Sequence, residues 1–223
     1  MSEGGPGEAE QYVVPPTTTR PRGLIMPQPT TLRALSGLPS TPASLADSTL
    51  IMIDCQNTYV DGVMALDGVA SALDEAVALL ERARSAGIPI IHFQHDAGEG
   101  SPYDIRAEIG QIVDRVAPRA DETVIVKSFP NSFVQTDLDD RLKAASAHHL
   151  VLAGFMTHMC INSTARGAFN LGYAPTVVAK ATATRALPGV SAVVSPAALQ
   201  AASLAALGDL FAIVVPDGAA IPD

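Results

Sequence analysis

The chain reads as an α/β protein in three layers, with helices covering both faces of a six-stranded parallel sheet. Three observations predict this. From residue 49 onward, short apolar runs alternate with amphipathic stretches of helical period. The runs are almost wholly apolar rather than alternating, as in strands buried on both faces. A length of 223 residues is enough for one well-buried core without a second domain.

Residues 1–47 differ from the rest. They cluster Pro, Thr, Gly and Ser, as in Val14-Pro-Pro-Thr-Thr-Thr-Arg-Pro-Arg22, and such a composition does not build regular core elements. About the first ten residues are expected to be disordered. Leu32, Leu35, Leu38 and Leu45 would expose apolar surface unless this segment packs as an arm on its own domain or on a neighbouring subunit. Residues 48–223 then form the folded domain. Its strands are expected at 49–53, 89–94, 123–126, 149–153, 176–179 and 210–215. Helices are expected at 69–86, closed by Gly87, and at 105–116, 138–147, 159–171 and 196–207, with Gly172 and Gly208 closing the last two.

Composition narrows the function. No apolar run approaches the roughly 18 residues of a membrane span, and no basic segment precedes an apolar one as in a secretory signal. The two cysteines give no disulfide framework, and Cys55 lies within a buried strand, so a reducing cytoplasm is the expected compartment. A net charge of -9 without a Lys/Arg cluster argues against a nucleic-acid partner and suits a cationic substrate mildly. Neither GxGxxG nor GxxxxGK[ST] occurs, and no cofactor is expected. Ala/Val-rich stretches in the 189–207 region suggest a subunit interface, hence a homo-oligomer, dimer or larger.

In open α/β sheets ligands gather at the carboxyl ends of the strands, where strand order reverses. The first strand ends in Asp54, the third in Lys127, and the fourth leads through Gly154 to Cys160. Singly, each has an ordinary explanation: a loop cap, the first solvated residue after a strand, a small buried side chain. Together they supply the base and the positive neighbour that an activated thiol needs. Cys160 also opens an amphipathic helix, whose dipole is expected to favour the thiolate.

Asp54-x-Gln56, Lys127 and Gly154-x-x-Thr157-x-x-Cys160-x-x-x-Thr164-Ala-Arg166 resemble the isochorismatase-like cysteine hydrolases over about residues 48–215. That group includes nicotinamidases, N-carbamoylsarcosine amidohydrolases and streptothricin hydrolases. The resemblance implies the strand order 3-2-1-4-5-6 and an Asp-Lys-Cys triad of Asp54, Lys127 and Cys160. It also implies a cis peptide at Phe155-Met156 that aims the N–H groups of Met156 and Cys160 at the oxyanion. The implied activity is hydrolysis of a small-molecule amide through a Cys160 acyl-enzyme, with the lactam of streptothricin-type antibiotics as one candidate. Two rivals are vinyl ether cleavage with Asp54 as the acid, and a non-catalytic ligand-binding scaffold.

The loop after Asp54 holds no histidine where related nicotinamidases bind metal, so no metal site is expected. His92 and His95 do not share one face of a strand. Gln56, Tyr59, Ser132, Phe133 and His158 are the candidate substrate-binding residues; Arg166 is expected to be a structural ion-pair partner, and the His148-His149 pair to be solvated at the far end of the sheet.

Overall fold

The computed structural model describes residues 29–223, so the expectations for the first ten residues and for the 14–22 segment lie outside the described residues. Six strands form one parallel sheet: β1 (Ser48–Ile53), β2 (Ile90–His95), β3 (Thr123–Lys127), β4 (His149–Phe155), β5 (Ala174–Ala183) and β8 (Ile213–Val215). Their order is β3-β2-β1-β4-β5-β8. This is the expected order, with two short strands, β6 (Leu187–Pro188) and β7 (Val193–Val194), forming a separate hairpin before the last sheet strand.

Every residue of β1 is buried, the polar Ser48 and Thr49 with the apolar residues 50–53, as the centre of a sheet covered on both sides requires. Helix α2 (Val69–Ala86) buries Leu73, Ala76, Leu79, Leu80 and Ala83 on one face of the sheet. On the other face lie α3 (Leu138–Ala144), α4 (Asn162–Asn170) and α5 (Pro196–Asp209), which contribute Leu138, Leu142, Ala165, Ala168 and Leu207 to a second core. The chain runs β1 to β3 on one side and then crosses to β4 on the other. The switch point therefore lies between the carboxyl ends of β1 and β4.

Three expectations need correction. The 105–116 segment is not a helix; it is a loop with two 3-10 turns, Glu108–Gly110 and Asp114–Val116. The Asp104 carboxylate accepts from the Gly100 and Arg106 N–H groups, a local alternative to helical bonding, and the Gly110 carbonyl accepts from Gln56 and Gln94. The N-terminal arm packs differently as well: Leu45 is buried, Leu32 and Leu35 are exposed, and the buried residue of α1 (Leu32–Leu35) is Arg33. Its guanidinium donates to the carbonyls of Pro39 (2.7 Å) and Leu210 (2.9 Å), tying the arm to the domain. Finally, the helix expected at 159–171 begins as a π-helical turn, Thr157–Ile161, and becomes α-helical only at Asn162.

Gly154 shows how tightly β1 and β4 meet. It pairs with Ile53, has φ +119°, and an added Cβ would lie 2.0 Å from the Ile53 carbonyl oxygen. Only glycine fits there. Among the described residues, no helix is long and apolar enough to cross a membrane.

Candidate active site

Three strand ends build the site. Asp54 follows β1 in a left-handed conformation (φ 50°), tolerable for Asp, with its N–H donating to the Phe93 carbonyl at 3.0 Å. Lys127 closes β3. Its Nζ donates to Asp54 Oδ2 at 2.6 Å and to the Phe129 carbonyl at 3.2 Å, and lies 3.4 Å from His95 Nδ1. All three ammonium protons thus have partners. Both side chains of the Asp54–Lys127 pair are 0% exposed. Burial and the Lys127 charge push His95 below its ordinary range, which leaves the ring neutral and able to accept from the ammonium.

Cys160 lies in the π-helical turn after β4 and is buried. The thiol is pushed up, first by burial and then by the Asp54 charge, while Lys127 opposes the rise. This corrects the expectation of a thiolate favoured by a helix dipole. The α-helix begins only two residues beyond Cys160, so the thiol does not sit at its N-terminus, and burial beside the Asp54 carboxylate sets the direction upward. Asp54 Oδ1 has no hydrogen-bond partner among the described residues, leaving it available as an acceptor. The Phe155-Met156 peptide is cis. Among the described residues, the Met156 N–H donates to no backbone or side-chain acceptor.

The other sequence candidates divide. Tyr59 is buried with its ring 5.8 Å from those of Tyr103 and Phe155, and its hydroxyl is pushed up by burial, Asp54 and Cys160. It faces the triad. His158 meets Thr184 Oγ1 at 2.6 Å, and burial with the nearby Arg185 charge lowers its pKa. Gln56, expected to bind substrate, instead clamps loops: its amide donates to His95 O (2.9 Å) and Gly110 O (2.7 Å) and accepts from His95 N (2.8 Å). Ser132 is held by Thr164, whose Oγ1 accepts from Ser132 N at 3.1 Å and donates to Ser132 Oγ at 3.0 Å. Phe133 stacks on Tyr173 with centroids 5.7 Å apart. Arg166 has no ion-pair partner among the described residues; it donates to Asn162 Oδ1 at 2.7 Å and lies 4.0 Å over the Phe211 ring. His92, in β2, meets Glu122, just ahead of β3, at 2.8 Å.

Two residues near the triad escaped the sequence reading. Tyr103 sits in the loop misread as leading into a helix, with its ring 5.1 Å from that of His95 and its hydroxyl under the influence of Cys160. Arg185 follows β5, which runs four residues further than its apolar core suggested. Its charge acts on His158 and Tyr103, and its Nε is buried without a partner among the described residues. The strand-end rule applied to a longer β5 would have found it.

A family model described as the isochorismatase domain matches residues 48–216. The chain belongs to the isochorismatase family. It is 33% identical over 184 residues to the secreted isochorismatase effector Isc1 of Verticillium dahliae, covering 82% of this chain and 95% of that one. A streptothricin hydrolase of Streptomyces noursei is 34% identical over 176 residues, covering 78% of this chain and 63% of the hydrolase. The ureidoacrylate amidohydrolase RutB of Serratia proteamaculans is 31% identical over 185 residues, covering 65% and 75%. The crystal structure of an isochorismatase from Pseudomonas putida superimposes with a TM-score of 0.84 at 36% identity, covering 86% of this chain and 99% of that one. Isochorismatase-family relatives are named as hydrolases and amidohydrolases, and the chain is a hydrolase of that family.

Proposed function

We propose that the chain is a cysteine-dependent amidohydrolase acting on a C–N bond of a small molecule, with Cys160 as nucleophile. The observation that carries this reading is the fully buried Asp54–Lys127 pair acting at close range on the Cys160 thiol. A buried ion pair is a poor way to gain stability but a good way to hold a base in place.

Since the resting thiol is protonated, attack and proton transfer go together. Sulfur bonds to the amide carbonyl as its proton passes to Asp54, and Lys127 offsets the charge left around the carboxylate. The oxyanion faces the N–H groups of Met156 and Cys160; loss of one such donor typically costs about 100-fold in rate. When the C–N bond breaks, Asp54 returns the proton to the leaving amine. Water, deprotonated by Asp54, then cleaves the thioester and restores the thiol. A chain that acts as a homo-oligomer on a diffusible amide, with no metal in the chemistry, fits this scheme.

On the substrate, two readings differ in charge. The acidic chain suits a polycationic lactam of the streptothricin type. Arg185, unpaired among the described residues beside His158 and Tyr103, favours an amide carrying a carboxylate, and we prefer that reading. Mass spectrometry after exposure to both kinds of amide should find an acyl adduct on Cys160 and identify it. Cys160→Ala should lose turnover by at least about three orders of magnitude. Activity surviving in that variant would overturn the acyl-enzyme reading and point to vinyl ether cleavage by Asp54; reaction with lactams alone would overturn the preference for acidic amides.

A further inference from the structure

At the amino edge of the sheet, opposite the triad, β4, β5 and β8 begin beneath the arm that precedes β1. Together they enclose a cavity of about 540 Å³. Phe169, Tyr173 and Ile213 give it apolar walls, the arm between 38 and 43 roofs it, and Arg33, His148 and His149 bring nitrogen donors to it. The expectation that both histidines are simply solvated is therefore incomplete: His148 is exposed, His149 is half-buried, and both line this space.

The charge of the lining is unusual for this molecule. Among the described residues no Asp or Glu lines the cavity, in a chain of net charge -9. Arg33 is only 9% exposed, and its Nε and Nη1 reach only carbonyl oxygens. Among the described residues it forms no ion pair, whereas buried charges in proteins are ordinarily paired. The space falls within the 300–1,000 Å³ of small-molecule sites, apolar with a few convergent polar groups.

We propose that this cavity is a second binding site, taking a small monocarboxylate with an aromatic or aliphatic body. The carboxylate meets the Arg33 guanidinium and the imidazoles, while the body lies against Phe169, Tyr173 and Ile213. The site cannot share a ligand with the triad. The seven residues of β4 separate the two edges of the sheet by about 20 Å at roughly 3.3 Å per residue.

Calorimetric titration of the full chain with benzoate tests this, with benzyl alcohol as the uncharged counterpart. The expected result is one saturable benzoate site at this cavity, separate from any benzoate held beside Arg185, with benzyl alcohol at least about tenfold weaker there, since the charge-assisted bond is lost. Cys160→Ala should bind benzoate as the native chain does, whereas Arg33→Gln should weaken binding at least about tenfold. Because Arg33 also staples the arm, Ala43→Phe supplies an independent variant that fills the cavity and leaves the Arg33 bonds in place; it should abolish binding at the cavity. Absence of saturable benzoate binding, equal affinity for benzyl alcohol, loss of binding in Cys160→Ala, or undiminished binding in Ala43→Phe would each overturn the proposal.

Discussion

Replacing Lys127 by Met tests whether the ion pair at the centre of the site exists for chemistry rather than stability. The methionine has a similar length and no charge, so the perturbation removes the ammonium and leaves the Asp54 carboxylate in a space from which water is excluded. Breaking a buried pair from one side costs about 3–5 kcal/mol. For a chain of this size each kcal/mol moves the melting temperature by roughly 2–4 °C, so Lys127→Met should melt roughly 6–20 °C lower. The double variant Asp54→Asn/Lys127→Met removes both charges with a residue that tolerates the left-handed backbone at position 54, and it should recover most of that loss while staying inactive. Denaturant unfolding of the four proteins, native, two singles and double, gives the coupling directly. Iodoacetamide labelling of Cys160 supplies a second readout. Lys127 opposes the upward push on this thiol, so labelling should slow further in Lys127→Met and slow less in the double variant. A single variant within about 1 kcal/mol of native, or a double variant no more stable than Lys127→Met, would refute the buried-pair reasoning.

Gly154→Ala places a methyl group 2.0 Å from the Ile53 carbonyl at a backbone angle that L-residues avoid, so it should destabilise by more than about 3 kcal/mol; an unfolding midpoint near native would show that β1 and β4 do not approach so closely. Alkaline stability carries the signature of two raised thiols. Cys55 and Cys160 are both pushed up, by burial and by Asp54, while thiols in the unfolded chain titrate near ~8.5. Their contribution is therefore fully present below that pH and declines as pH rises above it, by about 1.4 kcal/mol per unit for each thiol. Cys55→Ala should remove about half of this decline between pH 9 and 10, roughly the range before tyrosines add theirs; an unchanged slope would contradict the burial effect. The β6–β7 hairpin exposes Val190 and Val193, an apolar surface suited to a second copy, and light scattering should return a multiple of the 23.1 kDa chain mass rather than the chain mass itself.

Strand positions were legible because a central parallel strand admits few polar residues: residues 50–53 of β1 and 150–155 of β4 stand out as unbroken apolar runs. Carboxyl ends of those runs then identified Asp54, Lys127 and the turn to Cys160, since chemistry in such sheets collects there. Loops were less legible. The 105–116 segment has apolar residues at helical spacing, yet side chains distant in sequence, Gln56 and Gln94, take the Gly110 carbonyl that a helix would have used. The same blind spot concealed Tyr103, and an underestimated β5 concealed Arg185.

By itself the sequence determined the fold class, the strand order through its family motif, and three residues of chemical character at one sheet edge. Periodicity and apolar runs encode the strands and helices locally, within a window of ten or so residues, whereas the strand order was implied by the family resemblance. Only the tertiary structure decided the protonation of Cys160, because that depends on how deeply the thiol is buried and how near Asp54 and Lys127 come to it. It also decided that Gln56 clamps loops rather than facing the triad, and that Arg33 is buried beneath the arm instead of the leucines around it. Burial and pairing between residues far apart in the chain are properties of the assembled fold, and no local pattern carries them.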